Sequence, residues 1–201
     1  MDVCGAPMVA RVIERVKLCQ FIDDIILAIP IKDKSLFYSI RIKGISHFAG
    51  SEEDVLDRYY GAATLFGVEN IVRITSDCPL IDPGVIDKVI KAYQDGNVDY
   101  ASNTIVRTYP DGLDVEVFSY KALYQAWKEA TTEFDREHVT PFILRNEGKF
   151  KCLSVEHTSN LSSLHWTVDI EEDLEFVRKV YARLGNQFTW MDVLKVLEVS
   201  G

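Results

Sequence analysis

The feature that most constrains the fold of this chain is the stretch from Asn70 to Pro83, which has the sequence Asn-Ile-Val-Arg-Ile-Thr-Ser-Asp-Cys-Pro-Leu-Ile-Asp-Pro. Its β-branched first half, bounded by a glycine and a proline, predicts a buried central parallel strand. The aspartate and proline at its end are typical of a helix start. Because ligands of open α/β sheets bind at the carboxyl ends of the strands, this pattern places Asp77 at the mouth of a cleft. The alternative is that Asp77 only starts an Asx turn.

Strands and helices alternate along the rest of the chain, which favours an α/β fold with a sheet between two layers of helices. The segment from Met1 to Pro7 is too short for an element, and Pro7 is expected to start the first helix. Ser51 is expected to cap a helix that ends at Phe66. The other predicted strands cover 24–30, 45–49, 98–102, 113–118 and 164–169, and the other predicted helices cover 33–43, 83–94, 120–130, 171–184 and 191–199.

Carboxylates follow two of the predicted strands. Asp77 and Asp169 each stand where a strand is expected to end just before a helix. Since Mg²⁺ is held by one or two carboxylates together with phosphate oxygens, the pair indicates a magnesium site. The segment 113–118 alternates apolar and acidic residues, which predicts a half-exposed strand with Asp114 and Glu116 on one face. Cations for a phosphate or a carboxylate ligand are available in Arg58, Arg73, Arg107 and Arg136.

The composition argues against several classes of protein. The chain has 201 residues, enough for one α/β domain, and its net charge of −9 disfavours nucleic acid or an anionic membrane as a partner. No apolar run approaches the roughly 20 residues of a membrane span, and the N-terminus lacks a signal-peptide pattern, so a cytoplasmic location is expected. The four cysteines form no metal-binding motif and are expected to be reduced. Cys78 has no histidine near it in sequence, so catalysis by this thiol is not expected.

Six blocks of the sequence recur together in one known family. They are Gly-Ser-Glu-Glu-Asp-Val-Leu-Asp-Arg-Tyr-Tyr at 50–60, Val-Arg-Ile-Thr-Ser-Asp-Cys-Pro-Leu-Ile-Asp at 72–82, Ser-Asn-Thr at 102–104, Arg-Thr-Tyr-Pro-Asp-Gly-Leu-Asp-Val-Glu-Val-Phe at 107–118, Arg-Glu-His-Val-Thr-Pro at 136–141 and Trp-Thr-Val-Asp-Ile-Glu-Glu-Asp-Leu at 166–174. Together they closely resemble the spore-coat polysaccharide biosynthesis type of cytidylyltransferase, which is related to the acylneuraminate and keto-deoxy-octulosonate cytidylyltransferases. The resemblance covers nearly the whole chain.

The resemblance implies a three-layer, Rossmann-like nucleotide-diphospho-sugar transferase fold in a single domain over residues 1–201, and transfer of CMP from CTP to an acidic sugar. By the same resemblance, Asp77 and Asp169 are the catalytic, metal-binding aspartates, and Mg²⁺ offsets the phosphate charge while a sugar hydroxyl attacks the α-phosphorus. The implied nucleotide-binding residues are Ser51, Asp54, Arg58, Arg73 and Thr75, and the implied sugar-binding residues are Asp111, Glu116, Arg136 and His138. For His138, a helix-terminal hydrogen bond is an equal alternative.

The match to the family departs from its pattern at the N-terminus. Family members open with a strand and a loop of the form A-R-x-x-S-x-R-x-P-x-K that wraps the triphosphate, whereas this sequence matches from just after that loop, with Ala6 in place of the usual lysine. We therefore expect an N-terminally truncated domain without the first strand and loop of the fold. Loss of such preorganised contacts typically costs on the order of several kcal/mol of transition-state stabilisation. It is also expected to leave a neighbouring strand edge uncovered.

Three functions compete on the sequence alone. The first is a cytidylyltransferase of surface polysaccharide biosynthesis with weakened activity. The second is a non-catalytic relative that binds a nucleotide or a sugar, or serves as a subunit. The third, on fold analogy only, is a glycosyltransferase that uses a nucleotide sugar at the same aspartate. CTP and an acidic sugar are the expected small-molecule ligands, and a homodimer is expected because relatives of this kind often pair.

Overall fold

A computed structural model describes residues 1–40, 42, 44–146 and 148–198 of the chain, and these residues form a mixed α/β fold. The strands are β1 (Asp2–Val3), β2 (Ala6–Pro7), β3 (Ile26–Pro30), β4 (Ser46–Gly50), β5 (Asn70–Arg73), β6 (Tyr100–Ser102), β7 (Glu116–Ser119) and β8 (Cys152–Ser154). The helices are α1 (Met8–Val16), α2 (Lys34–Ile40), α3 (Val55–Phe66), α4 (Pro83–Gly96), α5 (Tyr120–Glu129), α6 (Glu133–His138), α7 (Pro141–Arg145), α8 (Glu171–Leu184) and α9 (Trp190–Glu198).

The strands form three separate ladders. β1 and β2 make a short antiparallel hairpin, and β3 pairs with β4 in parallel. The third ladder has the order β5-β7-β6-β8, in which β7 runs antiparallel to both of its neighbours and β8 runs parallel to β6. In the described part of the chain, β3 pairs with β4 alone and β5 with β7 alone, so each keeps one unpaired edge. This agrees with the expectation of an uncovered strand edge.

Helices cover both faces of the four-stranded ladder. Successive strand residues point to opposite faces, so Ala101 and Val117 join one apolar cluster while Tyr100 and Phe118 join the other. The first cluster is filled mainly by α1, α4, α8 and α9, and the second by α3, α5 and α7. Two helical layers around a sheet were the arrangement that the alternation of elements predicts, and it is confirmed.

Several helix ends follow their sequence signals. Asp82 caps α4 by accepting a backbone N–H bond of 3.1 Å, and Pro83 is the first residue of that helix. Ser119 caps α5 in the same way, with a bond of 3.0 Å. α8 has the predicted bounds, 171–184. Among the described residues, no helix is both long enough and apolar enough to cross a membrane.

Three strand predictions are wrong. β5 is a half-buried strand at the end of its ladder and is antiparallel to β7, whereas a buried central parallel strand was expected. The segment 113–118 is buried rather than half-exposed, and Glu116 is only 7% exposed, because helices pack on both faces of β7. The segment 164–169 is not a strand: it makes a single bridge between His165 and Asp111, so a loop carries Asp169 to its position.

Three smaller differences concern short elements and one helix start. Residues 1–7 form the β1–β2 hairpin, although the segment looked too short for an element. Asp54 caps α3, whereas Ser51 accepts the N–H of Asp54 at 3.0 Å one turn earlier. β8 is too short to show a period in the sequence and was not expected. Residues 41, 43 and 199, which belong to the predicted helices 33–43 and 191–199, lie outside the described residues.

Candidate functional site

Asp77 lies in the turn between β5 and α4. The Thr75 hydroxyl donates a hydrogen bond to its Oδ1 atom, and the Cys78 sulfur lies 3.4 Å from the same oxygen. An ordinary Asx turn would need the backbone N–H two residues on, and Pro79 has none, so this alternative does not hold. Both of these contacts use Oδ1, and within the part of the chain that the structure describes Oδ2 has no hydrogen bond or ion pair, which leaves it for a ligand.

The Cys78 thiol acts here as a neutral group. Its side chain is buried, at 3% exposure. Burial, reinforced by the charge of Asp77, raises the pKa of Cys78 well above its usual value. A protonated thiol is a weak hydrogen-bond donor and a poor nucleophile, as expected for this residue.

The turn that holds Asp77 is joined to the segment that holds Asp169. The backbone N–H of Val168 donates to the carbonyl oxygen of Asp77 at 2.9 Å, and the Thr167 hydroxyl lies 3.4 Å from the same oxygen. Asp169 follows immediately, with 60% of its side chain exposed. The fold therefore brings the backbone of Asp77 next to the loop that leads into Asp169, although the two aspartates are 92 positions apart in the sequence.

Asp169 also belongs to a cluster around His165. The His165 Nε2 atom lies 3.3 Å from Asp169 Oδ2 and 3.6 Å from Asp173 Oδ2, and Nδ1 lies 3.5 Å from Asp111 Oδ2. Asp173 Oδ2 accepts the backbone N–H groups of Ile170 and Asp169 at 3.0 Å each at the start of α8. The bond from Ile170 is the main reason that the pKa of Asp173 is lowered, so this carboxylate is ionised at neutral pH.

Asp111 is held in place by its backbone and by Arg107. Its N–H donates to Leu164 O at 2.9 Å, and its own carbonyl accepts the Trp166 N–H at 2.7 Å. Arg107 donates to Asp111 at 3.2 Å and makes a bidentate pair with Asp114, at 2.9 and 2.7 Å. Burial raises the pKa of Asp114 despite this partner. Arg107 thus pairs with two carboxylates of its own loop, and its single charge offsets only one of them.

Gly112 permits the close contact between the loop of Asp111 and the segment before Asp169. Its φ angle is +103°, and a Cβ atom placed there would lie 2.6 Å from the backbone carbon of Trp166. Only glycine fits a backbone with both properties, since a side chain would be strained and would collide. The glycine is therefore part of what assembles the site.

Arg73 and Glu116 pair with each other across β5 and β7. Glu116 also accepts bonds from the hydroxyls of Tyr100, at 2.7 Å, and Thr140. Burial alone lowers the pKa of Arg73, but the Glu116 carboxylate outweighs it and the pKa is raised. Two residues that the resemblance assigns to the nucleotide and to the sugar are thus partners of each other, while Arg73 Nε is buried and has no hydrogen-bond partner among the described residues.

The other predicted nucleotide-binding residues form a group at the start of α3. Asp54 accepts a bond from Arg136 Nε at 2.9 Å, and Arg136 also donates to the Trp127 carbonyl at 2.7 Å. Arg58 donates to the carbonyl oxygen of Ser51 and is buried, at 9% exposure. Asp54, which was assigned to the nucleotide, and Arg136, which was assigned to the sugar, are therefore partners of each other.

His138 lies at the end of α6, and its contacts are local. Its side chain is 49% exposed and lies 4.0 Å from Glu137, and its ring meets the Phe134 ring edge-on at 4.5 Å between centroids. Its contacts are with residues of its own helix, and none of those described is with Asp77 or Asp169.

Sequence reasoning missed three residues of this site: His165, Thr167 and Asp173. A signal was present, because His165, Asp169 and Asp173 are spaced four residues apart. That spacing suggests one helical face, whereas α8 begins only at Glu171. The bridge to Asp111, which depends on the fold, is what turns His165 toward the carboxylates.

With this geometry in place, comparison with known proteins identifies the family. The sequence profile described as Cytidylyltransferase matches residues 1–186. The chain belongs to the cytidylyltransferase family. This cytidylyltransferase-family chain is 37% identical over 185 residues to the uncharacterized protein MJ1063 of Methanocaldococcus jannaschii, covering 90% of the chain and 73% of that protein. It is 29% identical over 148 residues to the spore coat polysaccharide biosynthesis protein SpsF of Bacillus subtilis, covering 72% of the chain and 60% of SpsF.

Solved structures agree with this assignment. A cytidylyltransferase from Leptospira borgpetersenii superposes with a TM-score of 0.91 at 26% identity, covering all of this chain and 86% of the other. A CMP:2-keto-3-deoxy-manno-octonic acid synthetase complexed with CTP superposes with a TM-score of 0.70 at 15% identity, covering 91% of this chain and 90% of the other. The fold is thus that of the nucleotide-diphospho-sugar transferases, as the resemblance implied.

Proposed function

We propose that this chain transfers CMP from CTP to an acidic sugar, with release of pyrophosphate, for the biosynthesis of a surface polysaccharide. The observation that carries the proposal is the bond of 2.9 Å from Val168 N–H to the Asp77 carbonyl, which holds the Asp77 turn beside Asp169. Two carboxylates carried on neighbouring segments would serve a metal-assisted phosphoryl transfer. SpsF and a 3-deoxy-manno-octulosonate cytidylyltransferase among the relatives support the acidic sugar and the polysaccharide pathway.

Mg²⁺ is the metal that this pair of residues would hold. Carboxylate oxygens are the donors that Mg²⁺ prefers, and Asp77 Oδ2 and the exposed Asp169 carboxylate both fit that preference. When bound, the ion supplies positive charge to the phosphate oxygens and helps the leaving pyrophosphate. The neighbouring residues hold Asp77 in position. The Thr75 hydroxyl fixes its side-chain rotamer through Oδ1, and the Val168 N–H fixes its backbone through the carbonyl oxygen.

A second candidate function is binding without turnover. It is supported by the arginines of the site, which already have partners within the chain. Arg73 and Arg107 pair with carboxylates of this chain, as does Arg136, and Arg58 binds backbone carbonyls. A triphosphate would have to compete with Glu116, Asp114 or Asp54 for these guanidinium groups. If the guanidinium groups keep these carboxylates as partners and do not turn to the phosphates, the chain would bind a nucleotide or a sugar and leave it unchanged.

The proposal is tested by measuring pyrophosphate release from the purified chain with Mg²⁺, each common nucleoside triphosphate and a panel of acidic sugars. Release with CTP and one of these sugars is expected, together with its loss in Asp77→Asn and in Asp169→Asn. The matched control is Asp95→Asn, which makes the same chemical change at an exposed pair with Lys91 on α4. Its rate should equal that of the wild type.

Two other outcomes change the conclusion. Magnesium-dependent binding of CTP or of a sugar with no pyrophosphate, from protein shown to be folded, would replace the enzyme with a binding protein. Transfer of a sugar from a nucleotide sugar to an acceptor would replace it with a glycosyltransferase. A homodimer is part of the proposal as well, and sedimentation equilibrium of the same preparation measures it.

A further inference from the structure

We propose that His165, Asp169 and Asp173 form a binding site for a transition-metal ion of the Co²⁺ and Zn²⁺ class. The site differs from the Mg²⁺ pair because it includes an imidazole and does not include Asp77. One ligand atom from each of the three residues lies within 4.8 Å of the other two. The inference does not depend on the proposed reaction, because it concerns the chain without nucleotide.

The distances within the cluster fit a metal ion between the three side chains. Zinc and cobalt bind nitrogen and oxygen at about 2.0–2.2 Å, so tetrahedral ligand atoms lie about 3.3–3.6 Å apart. His165 Nε2 lies 3.3 Å from Asp169 Oδ2 and 3.6 Å from Asp173 Oδ2. These separations are longer than the roughly 2.7–2.9 Å of a strong charge-assisted hydrogen bond, so the side chains are not drawn together as tightly as such a bond would hold them.

The donor set selects the class of metal. An imidazole nitrogen suits Zn²⁺, Co²⁺ and other first-row transition metals, whereas sites for Mg²⁺ are built from oxygen alone. One nitrogen and two carboxylate oxygens are three protein ligands. This number leaves a coordination position for water, as in open zinc sites.

Asp111 supplies the outer partner that a metal-bound histidine requires. Its Oδ2 atom lies 3.5 Å from His165 Nδ1, on the side of the ring opposite to the proposed ion. The backbone bridge between Asp111 and His165 and the bond from Arg107 hold this carboxylate in place. A carboxylate on the second nitrogen fixes the tautomer in which Nε2 carries the free lone pair, and it raises the basicity of that nitrogen.

Asp173 is fixed before any ion arrives. The N–H groups of Asp169 and Ile170 bind its Oδ2 atom at 3.0 Å each, at the first turn of α8. The carboxylate therefore loses little conformational freedom when it binds an ion. The cluster draws its residues from the loop before α8 and from α8 itself, and the loop of Asp111 supports it.

The test is a titration of the full chain with Co²⁺ in the absence of nucleotide, followed by visible absorption, and a calorimetric titration with Zn²⁺. We expect one ion per chain with a visible d–d spectrum of nitrogen and oxygen ligation. His165→Ala should weaken binding by more than about 100-fold, and Asp111→Asn by about 10-fold or more, as is typical of an outer-shell partner. Asp169→Asn is not diagnostic, because Asp169 also belongs to the Mg²⁺ pair.

The matched control is His138→Ala, which removes another exposed histidine that lies beside a carboxylate, Glu137, at 4.0 Å. It should bind Co²⁺ as tightly as the wild type. Equal affinity in the wild type and in His165→Ala would overturn the proposal, as would a near-ultraviolet thiolate-to-cobalt band, which would assign the ion to a cysteine. No binding by folded wild-type protein would mean that His165 only forms ion pairs with its carboxylates. Failure of pyrophosphate release alone would bear on the proposed reaction and not on this site.

Discussion

Arg73 and Glu116 form an ion pair across β5 and β7, with side-chain exposures of 19% and 9%. Glu116 also accepts the hydroxyls of Tyr100 and Thr140. The pair joins a strand that leads to Asp77 with the strand that follows the loop of Asp111. The ion pair therefore holds together the two strands, β5 and β7, that lead to and from the loops of the site.

Glu116→Gln is expected to destabilise the chain by about 3–5 kcal/mol, because the amide keeps the shape but leaves the buried Arg73 charge without its partner. Urea denaturation gives the free energy of unfolding. Asp95→Asn, at an exposed pair with Lys91, should change it by no more than about 0.5 kcal/mol.

A double variant separates the pair from the rest of the core. Arg73→Met combined with Glu116→Gln should cost less than the sum of the two single changes, by about 1 kcal/mol or more, since neither partner is then left alone. Additive losses would mean that the two side chains do not stabilise each other.

The cysteines should differ in reactivity. Burial raises the pKa of Cys19 to about 12 and also raises the pKa of Cys78, whereas the Cys4 side chain is exposed. Since the thiolate is the reactive form, iodoacetamide at pH 8 should label Cys4 first. Peptide mass spectrometry after timed labelling measures the order, and denatured protein serves as the control. Rapid labelling of Cys78 in folded protein would contradict the assignment of a neutral, buried thiol.

The elements with strong local signals could be predicted from the sequence. α8 and the start of α4 at Asp82-Pro83 depend on caps and on apolar spacing, which are local. The direction of β5 could not be predicted, because ladder pairing depends on which strand lies beside it. The burial of Glu116 could not be predicted for a related reason. An alternating pattern predicts a half-exposed strand, but helices pack on both faces of β7.

The acidic residues of the candidate site could be named from the sequence, but the partners of its side chains could not. Asp77 and Asp169 are predicted to act as a pair, and the bond from Val168 to Asp77 places the Asp77 turn beside the residue that precedes Asp169. A sequence does not show that Arg136 pairs with Asp54, because the two are 82 positions apart. His165 was missed for the same reason, since its role depends on the backbone bridge to Asp111.

Asp135 should make stability depend on pH in the acid range. Burial tends to raise the pKa of Asp135, but the Thr132 hydroxyl and the Arg145 guanidinium outweigh it, and the pKa is lowered. A lowered carboxyl pKa stabilises the fold fully above the unfolded pKa of about 3.9, and this contribution is lost as the pH falls through the folded pKa.

Asp135→Asn is therefore expected to cost about 1.5–3 kcal/mol at pH 7, with a difference from the wild type that shrinks below about pH 4. Urea denaturation from pH 2.5 to 7 measures it. Glu133→Gln, an exposed neighbour on α6, is the control and should stay within about 0.5 kcal/mol of the wild type. A difference that stays constant down to pH 2.5 would show that the charge of Asp135 does not contribute.

Gly112→Ala tests whether contact between two loops assembles the site. Gly112 has a φ of +103°, and the added Cβ would lie 2.6 Å from the Trp166 backbone, which should separate Asp111 from His165. Gly67→Ala is the matched control, because Gly67, after the end of α3, has a left-handed backbone with a φ of +65° and no atom within 4 Å of the new Cβ. The control should cost about 1–2 kcal/mol of unfolding free energy.

Gly112→Ala should cost more and should also weaken Co²⁺ binding, as measured by urea denaturation and by the cobalt spectrum. Equal losses in the two variants, with cobalt binding intact, would mean that backbone strain alone explains the glycine.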